Sequence, residues 1–402
     1  MTLAEVLLIS TAFPPLVGGI ETFAVNIARG LKLVGCGVRV LTSAGRGKSE
    51  QVHDISIVRT LSWLNLKYLK IAPLLWTARR MVLDRRPDTI VAMTWTHEGI
   101  VAFLLRWVLG VEYVVVAHGS EILQHRRWCV THWVMQRVLA RAACVVVNSR
   151  FTHELVVGEG IKSDRIVVIH PPIDPAGSLA ANARCVPDDL FDLSGKRVVL
   201  TVARLVERKG HTYVLRVLSR LAARYPDVVY VVAGDGECRE QLERLATTLG
   251  IAGRVRMTGR VSETELRALY RRAEIYISPS LDVDGDVEGF GVALAEAGSY
   301  GIPVIAGRSG GVADAVLDGE TGIIVRSGDE DELLSALGRL LDDPDFGRRL
   351  GENARRRATT ELTIESQGRR FAETLDRLNH SREAVRGGVS KAESTVTSAS
   401  RR

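Results

Sequence analysis

The chain of 402 residues lacks paired cysteines, a long apolar run and the two best-known nucleotide-binding glycine signatures. Its five cysteines, Cys36, Cys129, Cys144, Cys185 and Cys238, are odd in number and scattered, with no CxxC spacing. That pattern excludes a disulfide framework or thiolate zinc ribbon and reads as reduced structural thiols in a cytosolic protein. The most apolar window, residues 101–117, is broken by Arg106, Gly110 and Glu112 and is no membrane span. The opening MTLAEVLLIS has no basic region and no small-residue cleavage site, so it reads as a first strand, not a secretory leader. Neither GxGxxG nor GxxxxGK[ST] occurs, which argues against dinucleotide dehydrogenases and P-loop NTPases.

What the chain does contain is the composition of a soluble globular protein, 46% hydrophobic and 25% charged. Its length favours two domains. The net charge of +6 sits entirely in the first half. Residues 1–190 hold 21 Lys and Arg against 15 Asp and Glu, whereas residues 191–402 hold 32 of each. Such an excess is either a solvated face or an attraction to an anionic membrane surface or phosphorylated acceptor. It forms no dense stripe interleaved with aromatics, so nucleic acid is not expected.

Short β-branched runs alternate with helical periods throughout, the pattern of βαβ units and parallel sheets. Strands are predicted at 5–10, 38–43, 89–93, 112–119, 144–149 and 165–171, then at 197–205, 228–236, 254–261, 274–280, 303–307 and 322–328. Helices are predicted at 20–34, 129–142, 329–342, 344–360 and 361–378. Between the two series, residues 171–195 are rich in Pro, Ala, Gly and Asp and read as a linker. The expectation is an α/β protein of two Rossmann-like domains, residues 1–176 and 177–360, facing across a cleft. The helix at 361–378 crosses back to the first domain, and 381–402 is a polar tail expected to be disordered.

Ligands of open α/β sheets bind at the carboxyl ends of strands, so the loops there are the candidates. Gly18 and Gly19 follow the first strand and precede a helix, either as a plain turn or to let a helix N-terminus meet phosphate. Arg204 and Lys209 follow the first strand of the second domain, a fork and a point charge suited to one diphosphate. The stretch SPSLDVDGDVEGFGVALAEAG, residues 278–298, offers two readings. Its aspartates at 282, 284 and 286 resemble a metal loop but fail the calcium-loop spacing, so they are expected to form a solvated loop. Glu288 and Glu296 instead bracket a helix start and, were the span helical, would lie roughly 12 Å apart along it. That spacing suits either two solvent glutamates or carboxylates at the two ends of a sugar nucleotide.

Taken together, Glu288-x7-Glu296, Arg204-x4-Lys209, the Gly18-Gly19 loop, AHGSEI (117–122) and SGGVADAVLDGETGIIV (309–325) resemble the retaining glycosyltransferases of family 4, with the GT-B fold. The likeness runs in order over about residues 5–378 and looks most like the bacterial α-mannosyltransferase branch, including phosphatidylinositol mannosyltransferases. The resemblance implies that Arg204 and Lys209 hold the donor diphosphate, closed over by Gly18 and Gly19. Glu296 would accept from the ribose, while Glu288 and the backbone of Gly289, Phe290 and Gly291 address the hexose. His118 would lie near the reacting sugar, and Val261 beside the base. It further implies front-face transfer without a metal or a resident cofactor, the donor being a co-substrate. GDP-mannose is the expected donor, with UDP-glucose or UDP-N-acetylglucosamine as the alternative, and the acceptor a glycan or lipid-linked hydroxyl. A sugar-nucleotide epimerase, a hydrolase or a catalytically silent sugar-nucleotide-binding protein on the same fold stays open. The basic first domain and the amphipathic stretch 65–86 fit a cytoplasmic protein peripheral to the membrane, although that stretch equally suits a core-facing helix.

Overall fold

The computed structural model describes residues 4–16, 18–43, 50–52, 55–60, 71–175 and 192–380. Within these ranges lie two separate sheets. The first runs β3-β4-β2-β1-β5-β6-β7-β8, with β1 Glu5–Ile9, β2 Gly37–Thr42, β3 Glu50–Val52, β4 Ile55–Arg59, β5 Thr89–Ala92, β6 Glu112–Ala117, β7 Cys144–Val147 and β8 Ile166–Val168. All its neighbours pair in parallel except β3 with β4. The second sheet is wholly parallel, in the order β11-β10-β9-β12-β13-β14. Its strands are β9 Arg197–Val202, β10 Val228–Ala233, β11 Val255–Gly259, β12 Ile275–Ser278, β13 Val304–Gly307 and β14 Gly322–Val325.

Helices cover both faces of each sheet, which is why CVVV in β7 and VVYVVA in β10 are buried at every position. Strand order reverses between β1 and β5 in the first sheet and between β9 and β12 in the second. Those switch points are where open α/β sheets leave a crevice for ligands. After β1 comes α1, Gly19–Leu33. Four further helices follow: α2 Ile71–Asp84, α3 His97–Leu109, α4 Ser120–His125 and α5 Cys129–Arg141; α6, Arg150–Gly158, then leads to β8. In the second domain α7 is His211–Leu221, α8 Arg239–Thr248, α9 Glu263–Arg272 and α10 Val292–Ser299. Behind them lie α11 Val312–Ala315, α12 Glu330–Asp342 and α13 Pro344–Thr360.

A last helix, α14, occupies residues 364–380 and returns to the first domain. Phe371 and Leu375 join the core formed by Phe23, Ile27 and Leu31 of α1. The approach is close because glycine meets glycine. A Cβ on Gly30 would lie 2.5 Å from Ile364 O and 2.8 Å from Gly368 Cα.

Two strands absent from the sequence reading, β3 and β4, form an antiparallel edge pair. Most of the expected linker, residues 176–191, lies outside the described residues, as does the tail 381–402.

Candidate active site

The carboxyl ends of the two sheets face each other, and His118 and Gly19 of the first domain meet Gly289 and the start of α10 of the second there. From the first domain, His118 follows β6 and is buried. Its Nε2 lies 2.7 Å from the Met93 carbonyl, an acceptor, so this nitrogen donates, and in the neutral tautomer that fits this contact Nδ1 is the acceptor. The ring packs edge-on against Phe23, and the backbone N–H of His118 donates to Glu121 Oε1 at 2.7 Å. Opposite stands Gly289. A Cβ there would lie 2.5 Å from His118 O and 2.7 Å from Asn148 Nδ2, so the two domains touch through bare backbone. Gly19 approaches from the same side, since its Cβ would lie 3.9 Å from Val292 Cγ2 at the start of α10. Gly18, just before α1, is extended and needs no special backbone region.

Glu288 is the centre of the second domain's contribution. Lys209 Nζ pairs with its Oε2, Arg208 Nη1 donates to the same oxygen at 3.0 Å, and Ser280 Oγ lies 3.4 Å away. Burial works against the charge on Glu288, but Lys209 and Arg208 more than offset it and hold the carboxyl down at about 2. All three donors gather on Oε2, which leaves Oε1 its acceptor capacity. Arg208 itself is buried and also pairs with Asp286, 3.1 Å from Nε to Oδ2. Arg204, by contrast, is exposed, and its guanidinium has no partner among the described residues.

The aspartates 282, 284 and 286 lie in a solvent-facing loop before α10, as the sequence reading expected, with Asp282 and Asp284 exposed and Asp286 half-buried. The loop is nonetheless tied down. Asp286 pairs with Arg208, Asp282 accepts from Ser309 Oγ, and Asp284 sits at φ 51° with its carbonyl accepting from Arg127 Nη2 across the cleft at 2.6 Å. No group of three His, Cys, Asp or Glu that could hold a metal occurs among the described residues.

Gly291 caps α10 at φ 94°, a left-handed conformation that explains glycine there. Phe290 is buried and stacks on His170 at 5.2 Å, so its side chain serves the core and only its backbone faces the cleft start of α10. The glycines of SGG make the same close fit. A Cβ on Gly311 would lie 2.0 Å from Gly289 O, and Gly311 N donates to Glu288 O at 2.7 Å. Glu296 lies in α10 and accepts from Tyr270 Oη at 3.1 Å. Burial pushes its carboxyl up to about 7, against the pull of Tyr270. Val261 lies half-buried in the turn between β11 and α9, packed against the second domain's core.

Three contributors were not anticipated. Arg208 sits beside Lys209 in a run that looks like surface charge. Ser309 fixes the Glu288 backbone, its Oγ accepting the Glu288 N–H at 3.1 Å while donating to Asp282. Asp314, at the end of the SGGVAD stretch, receives both the backbone N–H of Arg150 at 2.5 Å and its Nε at 2.6 Å, tying α6 to the second domain.

Two family models meet this chain end to end. Residues 17–176 match Glycosyltransferase Family 4, and residues 189–357 match Glycosyl transferases group 1. The chain belongs to the family 4 glycosyltransferases. It is an enzyme of the GT-B fold. Among the relatives of this glycosyltransferase is the GDP-mannose-dependent alpha-(1-6)-phosphatidylinositol monomannoside mannosyltransferase of Mycolicibacterium smegmatis. That protein is 29% identical, covering 94% of this chain and 100% of its own. The alpha-D-kanosaminyltransferase of Streptomyces kanamyceticus is 28% identical over 74% of this chain and 80% of its own. Among solved structures, Anabaena HepE in complex with UDP superposes at a TM-score of 0.76 with 21% identity, over 93% of this chain and 100% of that one.

Proposed function

We propose that the chain transfers mannose from GDP-mannose, with retention of the α configuration, to a lipid-linked or glycan hydroxyl at the cytoplasmic face of a membrane. The observation that carries the reading is the cluster Lys209–Glu288–Arg208 set directly behind the Gly289 contact with His118. Glu288, a carboxylate with one open oxygen held by cations suited to a diphosphate, is next in sequence to the glycine that meets His118. In this reading Arg204 and Lys209 hold the diphosphate and stabilise the charge that develops as it leaves, so the protein's own cations serve where a metal otherwise would. Gly18 and Gly19 close over it. Glu288 Oε1 and His118 Nδ1 accept from hexose hydroxyls. Glu296 accepts from the ribose, and Val261 borders the base. The mannosyltransferase named above supports GDP-mannose through its modest identity over the full length.

A uridine donor is the second reading, favoured by the UDP complex of HepE. A thermal-shift panel of GDP, UDP, ADP and their sugars separates the two, because a ligand that binds only the folded state raises its melting temperature. GDP and GDP-mannose are expected to stabilise most, and a larger shift with UDP overturns the guanine assignment. Donor turnover with and without acceptor extract distinguishes transfer from hydrolysis or epimerisation.

Glu296 adds a pH dependence. Its carboxyl is mostly protonated in the free protein below about pH 7 and ionised above it. Ribose hydroxyls donate to the ionised form, so nucleotide binding at pH 6 should expel close to one proton. Affinity should therefore rise with pH, by up to about tenfold per unit below 7, and level off above. Calorimetry at pH 6 in buffers of different protonation enthalpy measures this directly, and identical heats would refute it.

A further inference from the structure

Among the described residues no helix is long and apolar enough to cross a membrane. Of the stretch 65–86, residues 65–70 lie outside the described residues; from residue 71 it forms α2, whose apolar stripe of Leu74, Ala78, Met81 and Val82 is spent on the sheet. Lipid cannot use that face. Most of the exposed large apolar side chains lie elsewhere, on the outward faces of α2, α3 and α5 and at Trp128 just before α5. These three helices pack as one layer on the same face of the first sheet, since α2, α3 and α5 all feed one core.

The surface they present is unusual for a chain with only six tryptophans. Trp76, Trp107, Trp128 and Trp133 are 60, 83, 71 and 57% exposed. Helical spacing explains how this happens: α5 buries Met135, Val138 and Leu139, which turns Val130, Trp133 and Arg137 outward. Two of the indoles carry a guanidinium, Arg80 at 4.9 Å over Trp76 and Arg137 at 5.0 Å over Trp133. The net charge on this layer is positive. The three helices hold five arginines against Asp84 and Glu98, and Glu98 is buried beneath Thr11 and Thr94.

We propose that the outward face of α2, α3 and α5 docks the protein on an anionic bilayer, with Trp76, Trp107, Trp128 and Trp133 at headgroup level and Arg80 and Arg137 on lipid phosphate. Indole rings favour that boundary because one edge is apolar and the N–H is polar. Each arginine adds electrostatic attraction to the anionic surface. A neutral protein partner would not account for the excess of arginine, and self-association would set the arginines of two copies against each other. The face also reaches the site: Trp128 ends the segment that begins at His118, and Arg127 beside it contacts Asp284 across the cleft. The proposal rests on the lipid-linked acceptor of the reading above for its purpose, while its evidence is the surface itself.

The test uses the full-length protein and vesicles of phosphatidylcholine with or without phosphatidylglycerol. The expected result is sedimentation with the anionic vesicles only, a blue shift of tryptophan emission, and quenching by brominated acyl chains. Trp128→Ala/Trp133→Ala and Arg80→Glu/Arg137→Glu should each weaken binding roughly tenfold or more. These side chains are exposed, so melting temperature and stabilisation by nucleotide should not change. A loss of nucleotide stabilisation in the wild type would count against the donor reading and leave the vesicle result standing. No binding to either vesicle, equal binding to both, or unchanged binding by both variants overturns the proposal. So does a concentration-dependent dimer in ultracentrifugation that the tryptophan variant abolishes.

Discussion

Arg204→Ala should lower kcat/KM by about 10²–10³ while leaving the fold intact. The guanidinium is exposed and unpartnered among the described residues, so its removal strands no charge and breaks no packing. A surface change of this kind is worth within ~0.5 kcal/mol of stability. Its catalytic effect should resemble loss of one preorganised donor to a developing anion, about 2.7–4 kcal/mol of transition-state stabilisation. Steady-state kinetics beside a thermal melt check both halves. Lys209→Ala is a poorer test because Lys209 also neutralises Glu288, and its loss would mix a folding cost with a catalytic one. A folded Arg204→Ala protein with wild-type transfer would falsify the diphosphate role.

Gly289→Ala is the second large effect, and its cause is geometric. One methyl group would enter at 2.5 Å from the His118 carbonyl and 2.7 Å from Asn148 Nδ2, both on the opposite domain. Neither a carbonyl nor a buried amide bonded to that carbonyl can give way cheaply, and Asn148 Nδ2 already donates to His118 O at 3.2 Å. The domains should therefore stand apart by a fraction of an ångström to an ångström or more. Displacement on that scale costs about 10²-fold in rate. Nucleotide stabilisation should survive, because Arg204, Lys209 and Glu296 all lie within the second domain. Transfer assays with a thermal shift by nucleotide test it, and near-normal transfer would show that this contact does not set the reacting geometry.

Much of the fold was legible because buried parallel strands leave a simple trace. Runs such as CVVV and VVYVVA are apolar at every position, and all twelve strands expected from β-branched runs are present. The two that were missed, EQV and ISIVR, are short and alternate polar with apolar residues, which fits an edge pair but carries little signal in a single sequence. The site was legible as residue types in loops and illegible as pairings. Nothing local tells that Lys209 will meet Glu288, 79 positions away, or that Asp286 will be held by Arg208. Arg208 was passed over because a run of Glu-Arg-Lys resembles solvent-exposed charge. Its burial depends on carboxylates supplied by a distant loop. The tryptophan surface was hidden for a related reason: periodicity shows which side of a helix is apolar, but not that the other side also carries indoles left uncovered.

The return of α14 has a mechanical consequence. The chain passes between the domains twice, once near Ile173 and once near Leu362, and the two passages are fastened to each other: Ile173 N–H donates to Leu362 O at 2.8 Å, and Ile173 bridges Thr363. A single tether would let one half swing, twist or slide. Two tethers bonded side by side, with α14 anchored through Gly30 and Gly368, restrict the halves to bending about one axis. The protein is built like a book with a stitched spine, its two halves bound along one line.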